Sequence, residues 1–257
     1  MKNVPQVAAL LATFAVVVAF GSTALPRDRR ADIHKEWVKY ANAAGDSVLG
    51  YLAYPERSDP APAMIVIHEN SGLSDWARTV VEDLASKGYV ALAPDLLSRR
   101  GTTAKLSDPR AAIRELPPDS ITVDLNATFD YLRSLKAARG DAIGVIGFCW
   151  GGGQTFRYAT NNPRIKAAVV CYGPAPDLGT VARITAPVFG VYGENDARIN
   201  ANLPDVERAM QQAGKSFRHT VYPGAGHGFL RSRDVPAEAD RAWADILKFL
   251  GQQLDRR

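Results

Sequence analysis

The stretch that decides the fold is Ala142-Ile143-Gly144-Val145-Ile146-Gly147-Phe148-Cys149-Trp150-Gly151-Gly152-Gly153. Its first half is a short, continuous apolar run, which reads as a strand buried on both faces. Gly147-Phe148-Cys149-Trp150-Gly151 then matches the Gly-x-Ser-x-Gly nucleophile elbow, with Cys in the Ser position. In such an elbow the chain turns so sharply from strand to helix that the nucleophile takes a strained backbone conformation. Side chains at the flanking glycines would collide with the neighbouring strand and helix. The following helix, expected over residues 152–161, aims free N–H groups and its positive dipole end at Cys149, favouring a thiolate or an oxyanion. Without that context a buried structural cysteine would be the better reading.

Outward from the elbow, short apolar strands alternate with amphipathic helices. Strands are expected at 36–40 and 47–54, paired across a turn at 43–46, and then at 64–68, 89–93, 142–148, 167–172, 187–192 and 217–222. Helical spacing places Ala77, Val80, Val81, Leu84 and Ala85 on one face, with Gly88 as the stop signal. Further helices are expected at 120–137, 204–213 and 236–250, the last with Trp243, Ile246, Leu247 and Leu250 on one face. The polar segment 95–119 reads as an excursion over the top of the sheet. This alternation predicts an α/β fold: one domain with a mostly parallel central sheet and helices on both of its faces. No stretch reads as an interdomain linker or a repeat, so residues 25–257 are taken as a single domain.

Residues 1–24 differ from everything after them. Lys2 gives a short positive start, Val7 to Phe20 is apolar apart from Thr13, and Gly21-Ser22-Thr23-Ala24 supplies small residues for a cut after Ala24. That is the layout of a secretory signal peptide, and its apolar run is shorter than the roughly twenty residues that span a bilayer comfortably. The expectation is a periplasmic or secreted protein with no stable membrane insertion once the signal is removed; an uncleaved inner-membrane anchor is the alternative. Arg27, Arg29 and Arg30 read as a tether at the mature N-terminus. The composition of the whole chain is ordinary: 46% hydrophobic, 23% charged and a net charge of +4 with no block of five like charges, which argues against a nucleic-acid partner.

An elbow requires an acid and then a histidine later in the chain. The strand at 187–192 runs into Gly193-Glu194-Asn195-Asp196, which makes Asp196 the candidate acid, with Glu194 the alternative. Just beyond the strand at 217–222, Pro223-Gly224-Ala225-Gly226-His227-Gly228-Phe229 offers His227. Of the four histidines, His34 lies near the mature terminus, His219 inside a strand, and His68 before Glu69, where packing or support of the site suits it better than catalysis. No His/Cys/Asp spacing resembles a metal-ligand set, and no cofactor motif is present.

These segments, together with Ile67-His68-Glu69-Asn70-Ser71-Gly72-Leu73 and Ala93-Pro94-Asp95-Leu96, resemble the dienelactone hydrolase (carboxymethylenebutenolidase-like) family of the α/β-hydrolase superfamily. The resemblance spans residues 60 to 230, and Cys followed by Trp in the elbow is its most specific part. It implies a hydrolase of ester or lactone bonds that needs no cofactor, with Cys149, His227 and Asp196 as its triad. It implies that Glu69 sits beside the resting thiol and keeps it neutral until substrate displaces the carboxylate, protection that matters in an oxidising compartment. The backbone N–H groups of Trp150 and Asn70 would form the oxyanion hole. Arg99, with Arg100 as its competitor, and Arg231 fall where the family binds the carboxylate of an anionic lactone.

Two departures stand out. Asn70-Ser71 is polar where lactone-cleaving members carry bulky apolar residues, and a signal sequence fits poorly with intracellular catabolism. A general secreted carboxylesterase is therefore the alternative, and a non-catalytic small-molecule-binding protein on the same fold a further one. A redox protein using Cys149 and Cys171 lacks a Cys-x-x-Cys pair; Cys171 is expected to be a buried structural thiol. The expected state is a monomer.

Overall fold

Asn42 closes the first hairpin: its side-chain carbonyl accepts from the N–H groups of Ala44 and Asp46 at 2.9 and 3.0 Å, and Gly45 takes the positive φ the turn requires. The computed structural model describes Met1 and residues 32–255. Apart from Met1, the signal at 1–24 and the basic stretch at Arg27, Arg29 and Arg30 lie outside the described residues. The hairpin joins Ile33–Ala41 (β1) to Ser47–Pro55 (β2).

Then come Ala61–Ile67 (β3), Asp75–Ser86 (α1) and Val90–Pro94 (β4). The polar excursion follows, with a short helix at Pro109–Arg114 (α2). Pro118–Ser134 (α3), Ala138–Phe148 (β5), Trp150–Asn161 (α4) and Ala167–Cys171 (β6) complete the middle of the chain. The last part holds Val188–Gly193 (β7), Ala197–Asn200 (α5), Leu203–Gln212 (α6), Phe217–Tyr222 (β8), Phe229–Ser232 (α7) and Pro236–Leu254 (α8).

The eight strands form one sheet in the order β1-β2-β4-β3-β5-β6-β7-β8. The β1–β2 and β2–β4 pairs are antiparallel and the other five are parallel. Every residue of β3 is buried. Its alternate side chains feed two cores: Ala63, Ile65 and Ile67 meet α3 and α4 on one face, while Met64 and Val66 meet α1 and α8 on the other. This period of two is why the central strands read as unbroken apolar runs.

Element boundaries moved where long-range pairing governs them. β5 starts at Ala138 rather than 142, because Ala138 pairs with Ala61 across a register shift. α8 runs to Leu254, whose side chain is buried, rather than stopping at Leu250. α2, α5 and α7 have six, four and four residues, too few to show a helical period. Because β3 and β5 to β8 run parallel, their C-terminal ends share one edge of the sheet. The loops leaving β3, β5, β7 and β8 at that edge carry Glu69, Cys149, Asp196 and His227, the position where open α/β sheets hold their sites.

Candidate active site

Cys149 occupies the turn between β5 and α4 with φ 55° and ψ −118°, a left-handed conformation that a side chain rarely accepts. The flanking glycines make the turn possible. A Cβ on Gly147 would fall 2.2 Å from the Gly151 carbonyl oxygen, and one on Gly151 would fall 2.3 Å from that of His68. The Cys149 N–H donates to the Cys171 carbonyl at 3.0 Å, tying the elbow to β6. Both cysteines are free; Cys171 is buried and its thiol is pushed well above the usual range by burial.

Asp196 and His227 come from adjacent loops that are laced together. Asn195 N–H donates to the Ala225 carbonyl at 2.8 Å, Glu194 N–H to that of Tyr222 at 3.0 Å, and Gly224 N–H to Glu194 Oε2 at 2.8 Å. This lacing holds His227 Nδ1 at 2.5 Å from Asp196 Oδ2. Asp196 is 6% exposed. With Nδ1 committed to Asp196, the other ring nitrogen is left for the Cys149 thiol, which lines the same cleft. The bond to Cys149, and then the one to Asp196, push His227 up to about 9 against the opposing effect of burial. Tyr172 sets its ring edge-on to the imidazole at 5.2 Å. The alternative acid, Glu194, is occupied with Gly224, away from the imidazole.

Glu69, also 6% exposed, lines the same cleft. Burial raises its pKa, opposed by the positive charges of Arg231, His227 and Arg110. Its direct ionic partner is Arg231, with Nε 3.1 Å from Oε2. Among the described residues, the N–H groups of Asn70 and Trp150 donate to no protein acceptor, leaving two free amides beside Cys149.

The sequence reading of Arg99 is corrected by the structure. Its guanidinium reaches Asp46 at 3.0 Å and the buried Asp124 at 2.8 Å, which turns it away from the cleft into the support of the β1–β2 turn. Arg100 pairs with Glu115 at 2.6 Å, and neither arginine lines the cleft. The cleft, of about 350 Å³, is lined instead by Arg110 and Arg198 along with Arg231, Glu69, Asn70, Cys149, His227 and Gly228. Arg110 and Arg198 escaped the sequence reading because no motif spacing marks them. Each sits on a helix of six residues or fewer. Neither forms an ion pair among the described residues.

Among the described residues, no group of three or more His, Cys, Asp or Glu could hold a metal ion. His34 stacks on Tyr54 and His219 lies 3.4 Å from Glu207, both apart from the cleft.

A mostly parallel eight-stranded sheet with a strand–elbow–helix turn at β5 defines an α/β-hydrolase fold. The chain belongs to the dienelactone hydrolase family, whose model matches residues 48–254. A protein of Methylorubrum extorquens named "Putative carboxymethylenebutenolidase" is 34% identical over 194 residues, covering 70% of this chain and 67% of its own. The "Probable 2-oxo-3-(5-oxofuran-2-ylidene)propanoate lactonase" of Bradyrhizobium is 32% identical over 235 residues, covering 85% and 94%. A crystal structure titled "Putative Dienelactone Hydrolase" from Klebsiella pneumoniae superposes with a TM-score of 0.79 at 28% identity, over 86% of this chain and 99% of that one. The protein is a hydrolase acting on ester or lactone bonds.

Proposed function

We propose that Cys149 is the nucleophile of this hydrolase and that its substrates are small esters or lactones carrying a carboxylate. The observation that carries the reading is the joined set: a strained elbow cysteine sharing one cleft with His227, and Asp196 2.5 Å from Nδ1 of that imidazole. Asp196 accepts from Nδ1–H and keeps the other ring nitrogen turned to the thiol. His227 already holds the proton it shares with the thiol as Sγ attacks the carbonyl carbon, and the carbonyl π pair moves onto oxygen beside the Trp150 and Asn70 amides. Collapse expels the alcohol oxygen, which takes the proton from His227; in a lactone it stays attached to the acyl group. Water then gives a proton to His227 and adds to the thioester, and the acid leaves as Sγ regains a proton.

The preference for an anionic substrate rests on charge. Three arginines and one carboxylate line the cleft beside the triad, and Arg231 is already matched by Glu69. Arg110 and Arg198 therefore supply two unmatched guanidinium groups suited to a carboxylate. The signal-like leader favours a periplasmic or secreted enzyme, and a monomer is the expected form. A general secreted carboxylesterase is the second reading, favoured by the polar Asn70-Ser71 pair.

Steady-state hydrolysis of an anionic dienelactone beside p-nitrophenyl acetate tests both readings. Preference for the lactone supports the carboxylate reading; activity on the neutral ester alone leaves the esterase. Cys149→Ala should abolish turnover of either substrate, and more than a trace of remaining activity would remove Cys149 from the nucleophile role.

A further inference from the structure

His68 lies outside the triad, fully buried where β3 runs into the cleft. Its Nδ1 is 2.8 Å from the Glu69 carbonyl oxygen, and its Nε2 is 3.3 Å from the Leu96 N–H. A peptide N–H can only donate, so Nε2 must present a lone pair, and the ring proton resides on Nδ1. Nδ1–H therefore donates to the Glu69 carbonyl, which also accepts from the Gly72 N–H at the longer distance of 3.1 Å. Burial lowers the pKa of this ring, which suits the neutral form that both bonds require.

The Glu69 carbonyl belongs to the same planar peptide as the Asn70 N–H. The chain has no cis peptide bonds among its described residues, and in a trans peptide the two groups point in opposite directions. Holding the carbonyl on one side thus aims the Asn70 N–H on the other. The indole of Trp150, whose own N–H is the second free amide, stacks on the imidazole at 5.6 Å with the planes 17° apart.

The ring is itself anchored from behind. Buried Asp95 accepts from Leu97 N–H at 3.0 Å and from Thr103 N–H at 2.7 Å, shaping the loop that presents Leu96. Thr103 Oγ1 donates to Asp95 at 2.8 Å and accepts from Leu73 N–H at 3.0 Å, so the segment carrying Asn70 is held at both ends. A core histidine filling space would need neither a fixed tautomer nor a carbonyl partner one residue away.

We propose that His68 is the positioning residue of the oxyanion hole, aiming the Asn70 amide through the Glu69 peptide and seating the Trp150 side chain against it. This rests on the reading of Cys149 as nucleophile, and the test separates the two. A trifluoromethyl ketone forms a Sγ–C bond with Cys149 and moves its carbonyl π pair onto oxygen, so its affinity depends on the hole. Iodoacetamide alkylates the same Sγ by displacing iodide and develops no oxyanion. His68→Asn keeps an N–H donor near the position of Nδ1, whereas His68→Gln carries its amide out to the position of Nε2.

His68→Gln should lose about 10- to 100-fold in kcat for p-nitrophenyl acetate and in ketone affinity, below or within the range for removing a hole donor outright. KM and the alkylation rate should stay within about threefold of wild type, because neither needs the hole. His68→Asn should remain within about fivefold of wild type in every readout. Should His68→Gln fail to fold, His68→Phe, which keeps the stack on Trp150 and removes both hydrogen bonds, is read in the same way.

Equal behaviour of the Asn and Gln variants would overturn the assignment, as would alkylation falling in step with ketone affinity. In either case a wild type inactivated by iodoacetamide at Cys149 would leave the nucleophile reading standing. A wild type that is not inactivated there would overturn both.

Discussion

Arg231 and Glu69 form an ion pair across the mouth of the cleft, Nε to Oε2 at 3.1 Å, in which the carboxylate is buried and the guanidinium half exposed. The asymmetry decides what each partner does. Arg231 loses little hydration in the pair, while Glu69 has surrendered nearly all of its own and depends on the cation. Arg231→Ala should therefore destabilise the protein by about 1 kcal/mol, roughly 2–4 °C in Tm. Burial raises the folded-state pKa of Glu69 above its unfolded value. Its contribution is thus most favourable below pH 4.5 and is lost as pH rises through the folded value. Removing Arg231 raises that value further. The Tm deficit of Arg231→Ala should be largest near pH 7.5 and shrink toward pH 5; a deficit that grows on acidification would mean that Glu69 does not need the cation.

Asp196 and Glu194 compete for one role in the sequence, and the geometry separates them. Asp196→Asn can offer its amide N–H to Nδ1, which moves the ring proton to the nitrogen facing Cys149 and leaves no base there. The expected loss in kcat is on the order of 1,000-fold, with the fold intact because the Asp196 side chain makes no capping bond to α5. Glu194→Gln keeps an oxygen for Gly224 N–H and should stay within about threefold of wild type. The reverse ranking in steady-state assays would move the acid role to Glu194.

Arg99 and the pair Arg110 and Arg198 should differ in kind. Arg99→Ala leaves buried Asp124 without its cation, although Asn42 Nδ2 still donates to it at 2.6 Å. A loss of about 2 kcal/mol, roughly 4–8 °C, is expected, with KM for an anionic lactone unchanged. The double variant Arg110→Ala/Arg198→Ala should do the opposite: KM for the lactone rises about tenfold or more while Tm and KM for p-nitrophenyl acetate hold. Thermal melts beside substrate titrations decide the matter, and a raised KM in Arg99→Ala would return that residue to substrate binding.

His227, pushed up to about 9, gives stability a pH dependence of defined sign. A histidine whose folded pKa exceeds its unfolded value contributes fully below pH 6.5 and loses that contribution as pH rises toward 9. The Tm difference between wild type and His227→Gln should therefore narrow between pH 6.5 and 9. A difference that is flat or widens over that interval would show that the imidazolium is not held by Cys149 and Asp196.

The hydrolase family and the order of candidate acid and histidine were legible along the chain, because each rests on local rules. The Gly147 to Gly151 turn has too little room for side chains wherever it is folded, and a strand buried on both faces must be apolar throughout. Helices of four to six residues were not legible, since so short a run shows no period. Those helices carry Arg110 and Arg198 into the cleft. Arg99 shows the same limit from the other side. Its spacing after Asp95 suits a clamp, but where a long side chain ends is settled by which buried carboxylate it meets. Asp124, from a helix far along the chain, holds the guanidinium away from the cleft. His68 divides in the same way: the sequence marks a histidine beside a strand end, and only the folded chain brings it the Leu96 N–H that fixes its proton on Nδ1. The chain alone determined where the strand turns sharply into a helix at Cys149, because the elbow is a local steric requirement. The tertiary structure decided which charges line the cleft, because that depends on partners supplied by distant segments.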